Sequence, residues 1–61
     1  MVHPPPNDVI ADYDALSASQ IVPLLSGLDA DERARVTTYE TAARARQTIL
    51  LRLAQLDEAG A

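Results

Sequence analysis

Residues 39 to 56 read YETAARARQTILLRLAQL, and the fold turns on how this stretch is laid out. On a helix of 3.6 residues per turn, Tyr39, Ala42, Ile49, Leu50, Leu53 and Leu56 gather on one side, with Arg46 near the middle of that apolar stripe. A guanidinium keeps its charge at any pH the chain meets. If the stripe is buried, Arg46 must snorkel to water, pair with a carboxylate or face a partner. The nearest spare acids are Asp12 and Asp14. They predict a segment that folds back beside Ala42 to Arg46 and supplies one carboxylate to it.

Working upstream, Asp29 stands three residues before Glu32, an arrangement in which Asp29 caps a helix and Glu32 occupies its third position, with acids placed where the dipole favours them. From Ala30 there is no glycine or proline until Gly60. This predicts one long helix over 30–57, about 40 Å from end to end. Three acids precede arginines by four residues: Asp29 and Arg33, Asp31 and Arg35, Glu40 and Arg44. That is the favourable order for helical ion pairs. Arg46 and Arg52 have no such partner, and Arg52 points to the solvated edge of the stripe.

Before the long helix, Ser17 opens SASQ, a capping box that starts a short helix through Ile21, Val22, Leu24 and Leu25, ending at Gly27 in a left-handed C-terminal cap. Pro23 lies awkwardly inside it. Either the helix bends there, or it starts late, at Ser19, with Pro23 in its first turn. The preceding VIADYDAL, residues 9 to 16, has no cap and no clean period and reads as an extended strap carrying Val9, Ile10, Tyr13 and Leu16. MVHPPPND, residues 1 to 8, reads as a disordered proline-rich tail, with His3 an exposed bystander and the three prolines too sparse for a recognition motif. Residues 58–61 are a second short tail. The fold class is therefore all-α, a helical hairpin over 9–57 of one short and one long helix with an extended N-terminal strap.

Sixty-one residues make one domain near the lower size limit for folding alone. A partner is thus a natural source of extra burial. No cysteine is present, so there is no disulfide and no thiolate metal site; no apolar run is long enough for a membrane or a secretory leader. The chain reads as soluble and cytoplasmic. Five basic residues against nine acidic ones give a net charge of −4, which offers no general attraction for phosphate backbones.

No residue pattern supports catalysis, a cofactor or a metal site: the acids are helix caps or helix-pair members, and Tyr39 and Glu40, as neighbours on a helix, point in different directions. RARV at 33–36 and RARQ at 44–47 repeat at eleven residues and would stack arginines on one face. The interleaved acids and the absence of lysine count against a nucleic-acid surface. The short helix, with at most ten residues, cannot cover a helix more than twice its length. The expected function is a non-catalytic protein-interaction module that docks or dimerises through Tyr39, Arg46, Ile49, Leu50, Leu53 and Leu56. Its partner would be a second copy or a host protein. Membrane attachment ranks behind these, because the polar face carries few cations.

The spaced string Tyr13 to Ile21 (YDALSASQI), then Leu25 to Asp29 (LSGLD), then Tyr39–Glu40 with Arg46 and TIL at 48–50, resembles a short helical module of unknown function. That module recurs near the C-termini of actinobacterial proteins, some of them lipid-droplet-associated or coat-like. The resemblance covers residues 13 to about 56 and implies an appended interaction module. A weaker likeness, in LSASQIVPLLSGLD at 16–29, is to helical modules of the SAP and Rho N-terminal type, which implies nucleic-acid binding as the alternative function. Those modules use basic loops, whereas SGLDADE at 26–32 is acidic.

Overall fold

A computed structural model describes residues 4–59. The chain is all-helical, with a 3₁₀ turn at Tyr13–Ala15 followed by α1 (Ala18–Leu25), α2 (Ala30–Ala42) and α3 (Gln47–Ala59). The proposed single helix over 30–57 is two helices. A straight helix of that length would run about 40 Å, whereas the longest dimension of the fold is 30 Å. The chain turns at residues 43–46 instead, and α3 packs against both α1 and α2. Arg33 in the first turns of α2 meets Asp57 near the end of α3, so these two helices run antiparallel. The two halves of the expected long helix thus pack against each other, with α1 laid on α3.

Local chemistry explains the helix starts. Ser17 accepts from the Gln20 N–H while the Gln20 side chain accepts from the Ser17 N–H, and Asp29 and Glu32 repeat the arrangement. Both capping boxes anticipated from sequence form, and α1 begins at Ala18 rather than late. Pro23 consequently sits in the helix interior, exposed, and removes one backbone bond. The left-handed cap at Gly27 does not form: no described glycine has positive φ. Ser26 stays right-handed, and the N–H groups of Gly27 and Leu28 bond to the carbonyls of Leu24 and Leu25, so the chain leaves α1 through tightened turns.

Seven apolar side chains make the core: Ile10, Tyr13, Ile21, Leu25, Val36, Ile49 and Leu53. Ile21 with Leu25 and Ile49 with Leu53 are spaced by four, which puts each pair on one face of its helix. Ile10 and Tyr13 come from the N-terminal segment, which covers the middle of the fold as turns and a 3₁₀ turn. Residues 4–8 of the expected tail lie against the domain. Pro6 is buried, its carbonyl accepts from Val9 and Ile10, Asn7 Oδ1 accepts the Tyr13 N–H, and Asp8 pairs with Arg35 through two hydrogen bonds. His3, with the rest of residues 1–3, and residues 60–61 lie outside the described residues.

Candidate functional site

The corner at residues 43–46 places three side chains that are far apart in sequence around one point. Tyr13 arrives from the 3₁₀ turn, Glu40 from the last turn of α2, and Arg46 from the residue before α3. Glu40 is completely buried, four residues after buried Val36 on the same face of α2. Its carboxylate accepts four hydrogen bonds. The Tyr13 hydroxyl donates to Oε1 at 2.6 Å, Arg46 Nη2 to Oε1 at 3.0 Å, Arg46 Nε to Oε2 at 3.1 Å, and the Arg46 backbone N–H to Oε2 at 3.0 Å. Arg46 Nη1 donates to the Leu16 carbonyl at 3.0 Å, and its guanidinium carbon sits 5.8 Å from the Tyr13 ring centre. Among the described residues no buried side-chain nitrogen or oxygen lacks a partner.

Charge follows from this geometry. Burial pushes the Glu40 carboxyl up, but the Arg46 and Tyr13 hydrogen bonds and the Arg46 charge outweigh it and hold the group at about 2, against an ordinary 4.5. Burial, followed by the hydrogen bond to Glu40 and its charge, raises Tyr13 well above the usual phenol value of 10.0. Hydrogen bonding to Glu40 raises Arg46 further. A carboxylate held so low is a poor proton acceptor at neutral pH. The cluster suits one task well, which is fixing the corner: Glu40 fastens both the backbone and the side chain of its last residue, Arg46.

The remaining expected pairs are rearranged. Arg46 finds Glu40, not Asp12 or Asp14, because the turn brings a carboxylate six residues upstream into reach. Asp14 is nonetheless close by. It accepts the Tyr39 hydroxyl at 2.6 Å, and its carbonyl accepts from Arg44. The three anticipated helical pairs are replaced by contacts between elements: Arg33 with Asp57 and the Leu28 carbonyl, Arg35 with Asp8, Arg44 with Asp14. With Arg52 donating to Gln55 Oε1, all five arginines bind protein acceptors, and the corner interrupts the eleven-residue arginine stacking.

Of the residues expected to meet a partner, Ile49 and Leu53 lie in the chain's own core, and Arg46 is largely enclosed. Tyr39, Leu50 and Leu56 are half-buried against that core, and the Tyr39 ring stands edge-on to Tyr13 with centres 5.6 Å apart. Among the described residues the exposed large apolar side chains are Leu24, at 47%, and Leu51, at 61%. Leu51 forms with Ala54 and the edge of Leu50 an uncovered strip on α3. An open groove of about 290 Å³ runs between the N-terminal segment and α2, lined by Pro4, Pro6, Ala34, Arg35, Thr38 and Tyr39. Among the described residues no group of three or more His, Cys, Asp or Glu side chains is placed to hold a metal ion, and no helix is long and apolar enough to cross a membrane.

Sequence reading missed the roles of Tyr13 and Glu40. The one signal was Arg46 itself, a cation in an apolar stripe. Comparison with protein-family models, with curated proteins and with solved structures finds no match to this chain.

Proposed function

We propose that this chain is a non-catalytic protein-interaction module, docking to a host protein or to a second copy through α3, the C-terminal half of the expected long helix. The observation that carries the reading is Leu51, exposed at mid-helix beside Ala54 and Leu50 on a fold whose core, among the described residues, is a cluster of seven apolar side chains. So small a core leaves α3 with apolar surface that a partner would bury at about 1.5–3 kcal/mol per large side chain. Ile49, Leu53 and Arg46 serve this surface from inside, by fixing α3 in place. Support for a non-catalytic role comes from the Glu40 cluster, whose proton affinities are set for permanence, not for transfer at neutral pH. The arginines' engagement with protein acceptors leaves the SAP-like nucleic-acid reading without a free basic face. The likeness to an appended actinobacterial module fits the same proposal.

The test is sedimentation across a dilution series of the intact chain and of Leu51→Gln. The expected result is association in the wild type that Leu51→Gln shifts toward single copies while the helical signal is unchanged. A wild-type chain that associates with nothing, and whose surface shows no response to Leu51→Gln beyond the substituted residue, would overturn it.

A further inference from the structure

We propose that the corner at residues 43–46 is a hinge through which two copies of this chain exchange α3, each copy straightening α2 and α3 into one helix and packing its α3 on the other's α1 and α2. The proposal rests on the interaction-module reading above and names its partner as a second copy. Three observations carry it. The first is that the corner contradicts its own sequence. Residues 41–48 are TAARARQT, without glycine or proline and rich in strong helix formers. Locally, this stretch prefers to continue the helix.

The second is backbone strain. Ala45 stands at φ 49, in the left-handed region that residues with a Cβ avoid, and Ala43 at φ −95, ψ −82 has left helical geometry. The Ala45 N–H reaches five residues back, to the Glu40 carbonyl. A continuous helix would relieve Ala45 and return this region to regular bonds four residues back. Short hinges under strain favour exchange between copies.

The third is the register. Two ion pairs tie α2 to the end of α3 and to the residue before it, Arg33 with Asp57 and Glu40 with Arg46, and the midpoints of these pairs fall at residues 45 and 43, inside the corner. Two straight helices laid antiparallel about that point bring the same pairs together between chains. Ile49 and Leu53 likewise re-enter an identical core, now the other copy's. On one straight helix Glu40 and Arg46 are six residues apart and on different faces, so the contact within a chain must break before it re-forms across the pair. That contact sets the barrier to exchange, while Ala45 supplies the drive. In the exchanged form Arg46, Ile49, Leu50, Leu53 and Leu56 pack on a second chain, while Tyr39 keeps its contacts to Asp14 and Tyr13 within its own.

The experiment compares the dimerisation constants of the intact wild type, Ala45→Gly, Ala45→Val and Leu51→Gln by sedimentation, after equilibration at high concentration, with small-angle scattering for shape. Glycine tolerates the corner and disfavours the straight helix; its helix propensity alone is worth about fivefold per hinge, and two hinges per dimer make that about twenty-fivefold weaker association. Valine at φ 49 is more strained than alanine, so Ala45→Val strengthens association. The scattering dimer should contain a rod of about 45 Å, the length of residues 30–59 as one helix. Association that ignores Ala45→Gly but yields to Leu51→Gln overturns the exchange and leaves the interaction reading standing. A chain that stays single in every variant overturns both. Should Ala45→Val fail to fold, Ala45→Gly alone decides.

Discussion

Replacing Glu40 with glutamine is the sharpest probe of why this chain folds as it does. Glutamine keeps the shape of the side chain but removes its charge and turns one oxygen into an NH2 donor. That donor must then face the Arg46 N–H groups or the Tyr13 hydroxyl, where four hydrogen bonds formerly converged on the carboxylate. Two routes give the magnitude. Removing one member of a buried ion pair costs about 3–5 kcal/mol, because the other charge is left without compensation. Independently, a carboxyl held at about 2 in place of 4.5 corresponds to on the order of 3 kcal/mol of preference for the ionised form in the folded state. A domain of this size holds roughly 3–9 kcal/mol in all. Glu40→Gln should therefore remove a third or more of the stability.

The assay is urea unfolding followed by far-UV circular dichroism for wild type, Glu40→Gln, Arg46→Met and the double variant, with trimethylamine oxide added where a variant is too unstable for a native baseline. Both single losses should be near 3 kcal/mol. The double variant should lose at least about 2 kcal/mol less than their sum, since each single change already forfeits the shared contact. Additive losses, or a Glu40→Gln cost under about 1 kcal/mol, would refute the claim that this pair fixes the corner.

Because Glu40 is held below its ordinary value, its contribution is complete above about pH 4.5 and is lost as pH falls toward 2; acid unfolding should fall in that window in wild type and shrink in Glu40→Gln, as dichroism against pH will show. Tyr13→Phe removes the hydroxyl that donates to Glu40 and should cost about 1.5–3 kcal/mol in the same urea assay. It should also reduce the stability lost above pH 10 in wild type, where the unfolded phenol ionises and the folded one, held higher, does not; Tyr39, raised by its hydrogen bond to Asp14, supplies the loss that remains. Leu53→Ala empties core and should cost about 2–5 kcal/mol, whereas Leu51→Ala, at an exposed site, should stay within about 0.5 kcal/mol by thermal or urea unfolding of the dilute chain.

Elements with local causes were legible in the sequence. The all-helical class and both capping boxes follow from residues three apart, and the core faces of α1 and α3 follow from spacings of four. Val9 to Leu16 read as an extended strap; the stretch instead runs through turns, and Ile10 and Tyr13 from it enter the core. Legibility stopped where a tertiary contact overrode local preference. Nothing in TAARARQT signals a break, and Glu40, four residues before Arg44, carries the signature of an exposed helical pair. The pair that forms is six residues apart, a spacing that cannot meet on a helix at all.

Arg46 is therefore cause and consequence together. Left in a straight helix within one chain, its guanidinium would sit in an apolar stripe with no acid in reach, and Glu40 would be an ordinary surface carboxylate. Turning the chain at residues 43–46 joins the two, seats Tyr13 over them and closes α3 onto the core, which offsets the left-handed alanine. The cation that seemed misplaced marks the one point at which this helix, as a single copy, has reason to end.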